Sequence, residues 1–290
     1  MSEFSLKAWS DAVADVVEGA APALAAVHLG HHRSASAVSW GDGLWAAPEE
    51  RIEYDTAPLI QTGGEEPVEA ELVGRDPTAG VALLKTVATK APVLAHSKAV
   101  LRPGHLAIVA GRDPDGPIAT TGTIAKAGGA WRSMRGGRID RRIKLTVSAG
   151  RPFEGGAVLD AEGKLIGFLL FGPRRHALVI PAETIARSVE TLSTKGHVAR
   201  GYLGARLHPV RERELEGAII VSLDDEGPAK AAGLQVGDVI TAWNGEGVRG
   251  PRGLMWRLGA DAAGQTVALS IVRGGVARDV TVNLGEKPIG

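Results

Sequence analysis

A carboxylate, Glu154, sits between an aromatic and a glycine pair in the run Arg151-Pro152-Phe153-Glu154-Gly155-Gly156-Ala157-Val158-Leu159-Asp160. The residues after it, 161–168, read as a strand, a tight glycine-containing turn and a second strand. Glycines just ahead of such a hairpin set backbone rather than side chain against whatever the loop holds. A carboxylate acts as nucleophile in some enzymes. Acyl transfer to Glu154 would, however, form an anhydride with nothing to activate it. Pro152 has no backbone N–H to offer. The chain has no cysteine, which excludes disulfides, thiol catalysis and cysteine-ligated zinc. His28, His31 and His32 lie upstream and read as solvated histidines at a strand end.

The rest of the chain must position these groups. At 290 residues it suits two or three compact units, and 44% hydrophobic content suffices for a buried core. Lys+Arg and Asp+Glu both total 33, leaving no net field to steer nucleic acid or an anionic membrane. The one polarised patch is Arg132, Arg135, Arg138, Arg141, Arg142 and Lys144 around Trp131, with Arg174 and Arg175. Such clusters bind nucleic acid or acidic peptide. The zero net charge and the embedded Asp140 favour a solvated, mobile loop. Glu3, Lys7, Asp11 and Asp15 interrupt the N-terminus too often for a signal peptide. No apolar stretch approaches the roughly 20 residues of a membrane helix. The expectation is a soluble, cytoplasmic protein with no membrane contact.

Residues 5–19 carry Leu6, Trp9, Val13, Val16 and Val17 at helical spacing, with Ser5 as N-cap. Short strands separated by Gly, Pro or Asp then run from 25 to 180, the signature of an all-β barrel or sandwich. A helix returns at 182–192. The domain expectation is an N-terminal helix (1–20), a β domain (21–194), a linker (195–200) and a second domain (201–290).

The 151–160 run resembles the nucleophile loop, usually written GNSGGPLVD, of chymotrypsin-fold serine proteases of the high-temperature-requirement A (HtrA) family. On that pattern Glu154 replaces the serine, and Pro152 replaces a glycine that donates an oxyanion N–H. The run Gly43-Leu44-Trp45-Ala46-Ala47-Pro48-Glu49-Glu50 occupies the strand before the base histidine, which falls on Glu50, or on Glu49 after a slip of one. The run Asp76-Pro77-Thr78-Ala79-Gly80-Val81-Ala82-Leu83-Leu84-Lys85 resembles the orienting-aspartate motif and puts Gly80 at the aspartate; Asp76 reads as a local cap. Peptide hydrolysis of this type needs nucleophile, base, orienter and oxyanion donors. The expectation is therefore a pseudoprotease, not an enzyme, with no catalytic residues, cofactor or metal. The rival is an active serine-type endopeptidase using Ser148, or another hydrolase using Glu50 and Glu154. If the fold is kept, those two carboxylates face each other across the cleft. They would then hold a divalent cation, run acid–base chemistry, or be an ordinary surface pair stabilised by Arg151.

From Gly201 onward, small residues lead into Gly233-Leu234-Gln235-Val236-Gly237-Asp238-Val239-Ile240, then Asn244-Gly245 at a turn. This half resembles a PDZ domain of the HtrA type. The overall class implied is mainly β: a chymotrypsin-like double β-barrel with an N-terminal helix, followed by an α+β PDZ domain. The resemblance implies capture of peptides or protein C-termini by strand addition. Tyr202, Leu203, Gly204 and Ala205 would form the carboxylate loop. Leu203, Ala205 and Leu207 would line the pocket, with Met255 and Leu258 opposite. The competing reading is that these are core residues. It further implies a homo-oligomer, a trimer in related proteins, with Phe4 and Trp9 available for contacts. The role expected is that of an adaptor, chaperone-like or regulatory protein in protein quality control. In the family the loop matching the basic run senses ligand on the PDZ domain.

Overall fold

The computed structural model describes residues 5–28, 34–52, 56–61, 66–87, 90–172, 176–212 and 215–287. Phe4, His31, His32, Tyr54, Arg174 and Arg175 lie outside the described residues. The chain divides into two compact units: Met1–Trp131 with Ile139–His197, and Arg132–Arg138 with Val198–Gly290.

The first unit begins with helix α1 (Leu6–Ala20), capped as expected by Ser5, whose hydroxyl accepts from Ala8 N at 3.4 Å. In its apolar stripe Leu6 and Trp9 are exposed, at 74% and 44%, while Val13, Val16 and Val17 are partly buried. Strands β1 (Leu24–His28), β2 (Ser34–Gly41), β3 (Leu44–Pro48), β4 (Thr56–Gln61), β5 (Val68–Asp76) and β6 (Val81–Lys85) follow. They close into a barrel in the order β1-β2-β3-β6-β5-β4. Its interior is filled by Ala25, Val27, Ala37, Trp45, Leu59 and Leu84, the alternate inward positions of each strand.

Strands β7 (Leu106–Asp113), β8 (Gly116–Gly128), β11 (Arg142–Thr146), β12 (Ala157–Leu159), β13 (Leu165–Phe171) and β14 (Ala177–Pro181) close a second barrel in the order β11-β14-β13-β12-β7-β8. Val109, Ile124, Ile143, Val158, Ile166 and Val179 fill it. Between β8 and β11 two short strands, β9 (Trp131–Arg132) and β10 (Arg138–Ile139), pair with each other. Closing both sheets removes the exposed edges that short strands would otherwise present.

Helix α2 (Ala182–Lys195) ends on Gly196 in the left-handed conformation, φ 71°. The Gly196 carbonyl lies 2.0 Å from where a Cβ on Gly74 would stand, so helix end and β5 touch backbone to backbone. Arg75 and His197 form a parallel bridge beside that contact. Asp76 is buried and caps its turn as the sequence suggests. Its Oδ1 accepts from Thr78 N (3.0 Å), Thr78 Oγ1 (2.6 Å) and Ala79 N (3.1 Å), and its Oδ2 accepts from Ser188 Oγ of α2 (2.7 Å).

The second unit contains β15 (Gly201–Tyr202), β16 (Ala205–Glu212), β17 (Leu215–Leu223), α3 (Pro228–Ala231), β18 (Val239–Trp243), β19 (Glu246–Gly247), α4 (Pro251–Arg257), β20 (Thr266–Arg273), β21 (Val276–Asn283) and β22 (Gly285–Glu286). The main sheet runs β16-β17-β18-β20-β21, with β19 on β18, and β15 pairs β22 separately. Leu203, Ile220, Leu234, Ile240, Trp243, Leu254 and Leu269 form its core. Asp238, 1% exposed, accepts from Gln235 N (2.8 Å) and from Arg273 Nε (2.6 Å), so a buried charge is matched.

The basic run is not the mobile loop expected from sequence. Arg132 makes a two-pronged pair with Asp261, and Arg200 Nη2 donates to Arg135 O at 3.3 Å. Arg141 pairs with Glu183 (2.9 Å), and Arg142 lies over the Trp131 ring at 5.2 Å. Carboxylates distant in sequence take up the charge, which a linear count cannot reveal.

Candidate functional site

In the first unit, the register of three strands decides what meets at their ends. Val81 stands opposite both Pro48 of β3 and Asp76 of β5, so the turns leaving β3 and β5 are neighbours. Glu49 N donates to Gly80 O at 3.1 Å across that seam. The turn after β3 is one 3₁₀ winding, Glu49–Arg51, and it carries Glu49, Glu50 and Arg51. Arg75 Nη1 holds it from below, donating to Ile52 O (2.5 Å) and Glu49 O (3.3 Å).

The loop carrying Glu154 is a second 3₁₀ winding, Arg151–Phe153. Ser36 of β2 fastens it at two points. Ser36 N donates to Glu154 O at 2.8 Å, and Ser36 Oγ donates to Pro152 O at 2.8 Å. The same hydroxyl accepts from Arg112 N at 2.9 Å. Gly155 follows at φ 84°, where a Cβ would stand 2.0 Å from Ser36 O. The loop amides turn inward: Phe153 N donates to Gly150 O, Glu154 N to Arg151 O, Gly155 N to Leu169 O and Gly156 N to Phe153 O. Pro152 contributes no N–H and the Glu154 N–H is given to Arg151 O, so neither of these two amides is turned to the cleft.

Glu154 is 9% exposed and lies 3.6 Å (Oε2) from Arg51 Nε. Arg51 Nε and Nη2 are themselves buried with no hydrogen-bond partner among the described residues. Burial pushes the Glu154 carboxyl above its usual range; the Arg51 guanidinium opposes this most, then the Phe171 backbone N–H, while nearby Glu50 adds to the rise. The partner anticipated from sequence, Arg151, acts more weakly than Arg51. Arg51 was missed, although its place directly after Glu50 in a tight turn is a readable sign. Glu50 and Glu154 are thus brought close to the Arg51 guanidinium, and Gly80 meets the same turn through its bond from Glu49 N. Among the described residues no three His, Asp or Glu side chains gather to hold a metal ion.

A raised carboxyl pKa has a signed consequence for stability. The folded state binds this proton more tightly than the unfolded chain. Its contribution is full below the ordinary glutamate value of about 4.3 and is lost as pH rises through the raised value. Glu154→Gln escapes that loss. Urea unfolding across a pH series should show the variant gaining on the wild type from roughly pH 4 upward, then levelling. A difference that stays flat with pH would refute the assignment.

The other anticipated groups lie apart. His28 ends β1 opposite Ser34, and its Nε2 is buried with no hydrogen-bond partner among the described residues, so it is not the solvated side chain expected. Ser148 contributes its carbonyl to Thr120 Oγ1 at 3.1 Å.

In the second unit the expected carboxylate loop crosses from β15 to β16. Gly204 turns at φ 71°, and a Cβ there would stand 2.7 Å from Gly227 Cα. The loop carbonyls are fixed, Leu203 O by Ala229 N (2.8 Å) and Gly204 O by Asp224 N (3.0 Å). Leu203 is 3% exposed and belongs to the core, whereas Ala205, Leu207 and Leu258 are partly buried against it. Met255 is 47% exposed on α4. Tyr202 turns its hydroxyl to Asp224, and that bond raises the phenol's pKa. Strand β16 is the outer strand of its sheet.

Two closed six-stranded barrels with a strand-end cleft, and a separate sheet whose outer strand follows a glycine loop, define a trypsin-like peptidase fold joined to a PDZ domain. Family models agree: a trypsin-like peptidase domain matches residues 46–168 and a PDZ domain matches residues 201–284. A probable periplasmic serine endoprotease DegP-like of Brucella suis biovar 1 is 32% identical over 239 residues, covering 76% of this chain and 46% of that protein. Its counterpart in Bartonella henselae is 31% identical over 236 residues, with the same coverage of 76% and 46%. The chain thus spans about half the length of the curated relatives it matches. The solved serine endoprotease from Yersinia pestis superposes with a TM-score of 0.71 at 25% identity, covering 95% of this chain and 98% of that one. The HtrA-type protease AlgW with decapeptide gives 0.72 at 23% identity over 96% and 99%. The chain belongs to the HtrA family of trypsin-like serine proteases with a PDZ domain.

Two expectations are corrected by these relatives. The reading as a non-enzyme is overturned because the relatives are named serine endoproteases. The cytoplasmic reading is overturned because they are named periplasmic. Among the described residues no helix is long and apolar enough to cross a membrane.

Proposed function

We propose that this chain captures exposed polypeptide C-termini on its PDZ domain and hydrolyses polypeptide in the cleft of its barrel domain, in the periplasm. The observation that carries capture is the outer strand β16 running directly out of the Gly204 loop, which offers a pairing edge beside a left-handed glycine turn. Support for hydrolysis comes from the relatives' names and from Glu154, whose raised pKa suits it to pass a proton to a leaving amine. Glu50 is the carboxylate available to take one from water. Capture serves the handling of misfolded or regulatory segments, with 21–194 and 201–290 as the working domains and 195–200 joining them. A homo-oligomer is part of the proposal.

Incubation of the full chain with an unfolded casein tests the chemistry. Turnover should fall at least about 100-fold in Glu154→Gln, the scale of a lost general acid, while peptide binding stays unchanged. Absence of turnover in the wild type would remove the hydrolytic half and leave capture standing.

A further inference from the structure

The direction of the amides along β16 is fixed by what β17 does with its own. Ile220 stands opposite Leu207. Both of its backbone groups are used on the far side: its N–H donates to Asp238 O at 2.8 Å and its C=O accepts from Gly237 N at 2.8 Å. Leu207 and Ile220 therefore form a non-hydrogen-bonded pair, and Leu207 turns its N–H and C=O outward to the open edge. Two residues on, Pro209 stands opposite Ala218, which pairs in turn with Ile240 of β18. The period of two along a strand gives Pro209 the same outward direction. Proline has no N–H. The edge thus offers a full donor–acceptor pair at Leu207 and a carbonyl alone at Pro209.

A second feature lies at the same level. Gly250, in the turn entering α4, has φ 107°, and a Cβ there would lie 3.7 Å from Pro209 Cβ and 3.6 Å from Gly217 O. The turn into α4 therefore rests against the sheet beside Pro209.

We propose that Pro209 limits how much of a bound polypeptide this edge reads, so that the chain selects by the last three or so residues and is indifferent to what precedes them. This rests on C-terminal capture by the Gly204 loop. With the carboxylate at that loop, an antiparallel guest sets its third residue from the end opposite Leu207 and its fifth opposite Pro209. The third residue exchanges both hydrogen bonds. The fifth donates one to the Pro209 carbonyl, and its own carbonyl finds no donor on the strand. Upstream residues then remain with water instead of extending the sheet. A proline facing outward from an outer strand also blocks edge-to-edge pairing between copies of the chain.

Three synthetic peptide sequences ending in Val, Leu and Phe, each as an N-acetylated decapeptide and as its last three residues, serve as probes. Affinities are measured on the full chain by calorimetric titration. In the wild type the decapeptide and its tripeptide should agree within about threefold for whichever sequences bind. Pro209→Val restores the donor, and the decapeptide should tighten by roughly five- to tenfold, the scale of one net hydrogen bond with added strand pairing. The tripeptide should not change. Pro209→Ala should repeat the result more weakly, and circular dichroism checks that both variants fold. A wild-type decapeptide thirtyfold tighter than its tripeptide, or folded variants that leave the ratio unmoved, would overturn the inference. Binding lost on C-terminal amidation confirms the carboxylate contact on which it rests. Binding by none of the free-acid peptides overturns that underlying capture, and this inference with it.

Discussion

Gly155→Ala should lower the unfolding free energy of the barrel unit by about 2–5 kcal/mol, the sum of overpacking and left-handed strain. Gly155 holds φ 84°, where a side chain costs roughly 1–2 kcal/mol. The added methyl would stand 2.0 Å from Ser36 O and 2.5 Å from Pro48 Cδ. Neither neighbour is the end of a flexible side chain: one is strand backbone, the other a ring at the end of β3. Relief requires the Glu154 loop to leave β2, breaking the bonds from Ser36 to Glu154 O and Pro152 O. Gly129→Ala is the control, because nothing lies within 4 Å of its Cβ position. Chemical unfolding of both variants checks the expectation. A loss below about 1 kcal/mol at Gly155, the ordinary scale for a surface change, would mean that the loop is not wedged as described.

Gly204→Val should weaken binding of a free-acid peptide by roughly 100-fold, since a carboxylate loses charge-assisted bonds worth about 1.5–3 kcal/mol each. The cause is again backbone. Gly204 sits at φ 71°, and a Cβ would reach 2.7 Å from Gly227 Cα and 3.2 Å from Pro228 Cδ. The loop must open away from the segment entering α3, which displaces the amides proposed to hold the carboxylate. Gly247→Ala, with nothing within 4 Å and an unremarkable φ, should bind as the wild type does. Affinity in Gly204→Val within threefold of the wild type would show that the carboxylate is held elsewhere.

Much of the framework was readable because it rests on local rules. The Ser5 cap and the Asp76 cap each depend on a residue and its near neighbours, and each forms as the sequence indicates. Strand β20 places its alternate residues Val267, Leu269 and Ile271 in the core. The cleft was less legible. Glu154 reads as an ordinary loop carboxylate, and its burial beside Arg51 depends on two loops 103 positions apart in the chain (154 minus 51). Leu203 shows the same limit: a leucine in a binding-loop motif is sequence-identical to a leucine in a core, and packing against Ile220 and its neighbours makes it core. The Arg132–Arg138 segment belongs with the second unit because Asp261 and Gly259 receive it, and neither is near it in sequence.

The seam between β5 and the end of α2 has a mechanical meaning. Traction on the chain beyond His197, such as a substrate would exert while being drawn taut, arrives first at the Gly74–Gly196 contact and the Arg75–His197 bridge. Behind them stands the Ser188 hydroxyl on buried Asp76, about two helical turns inward. The load therefore passes into the wall of a closed barrel, and the helix is spared from unravelling from its free end.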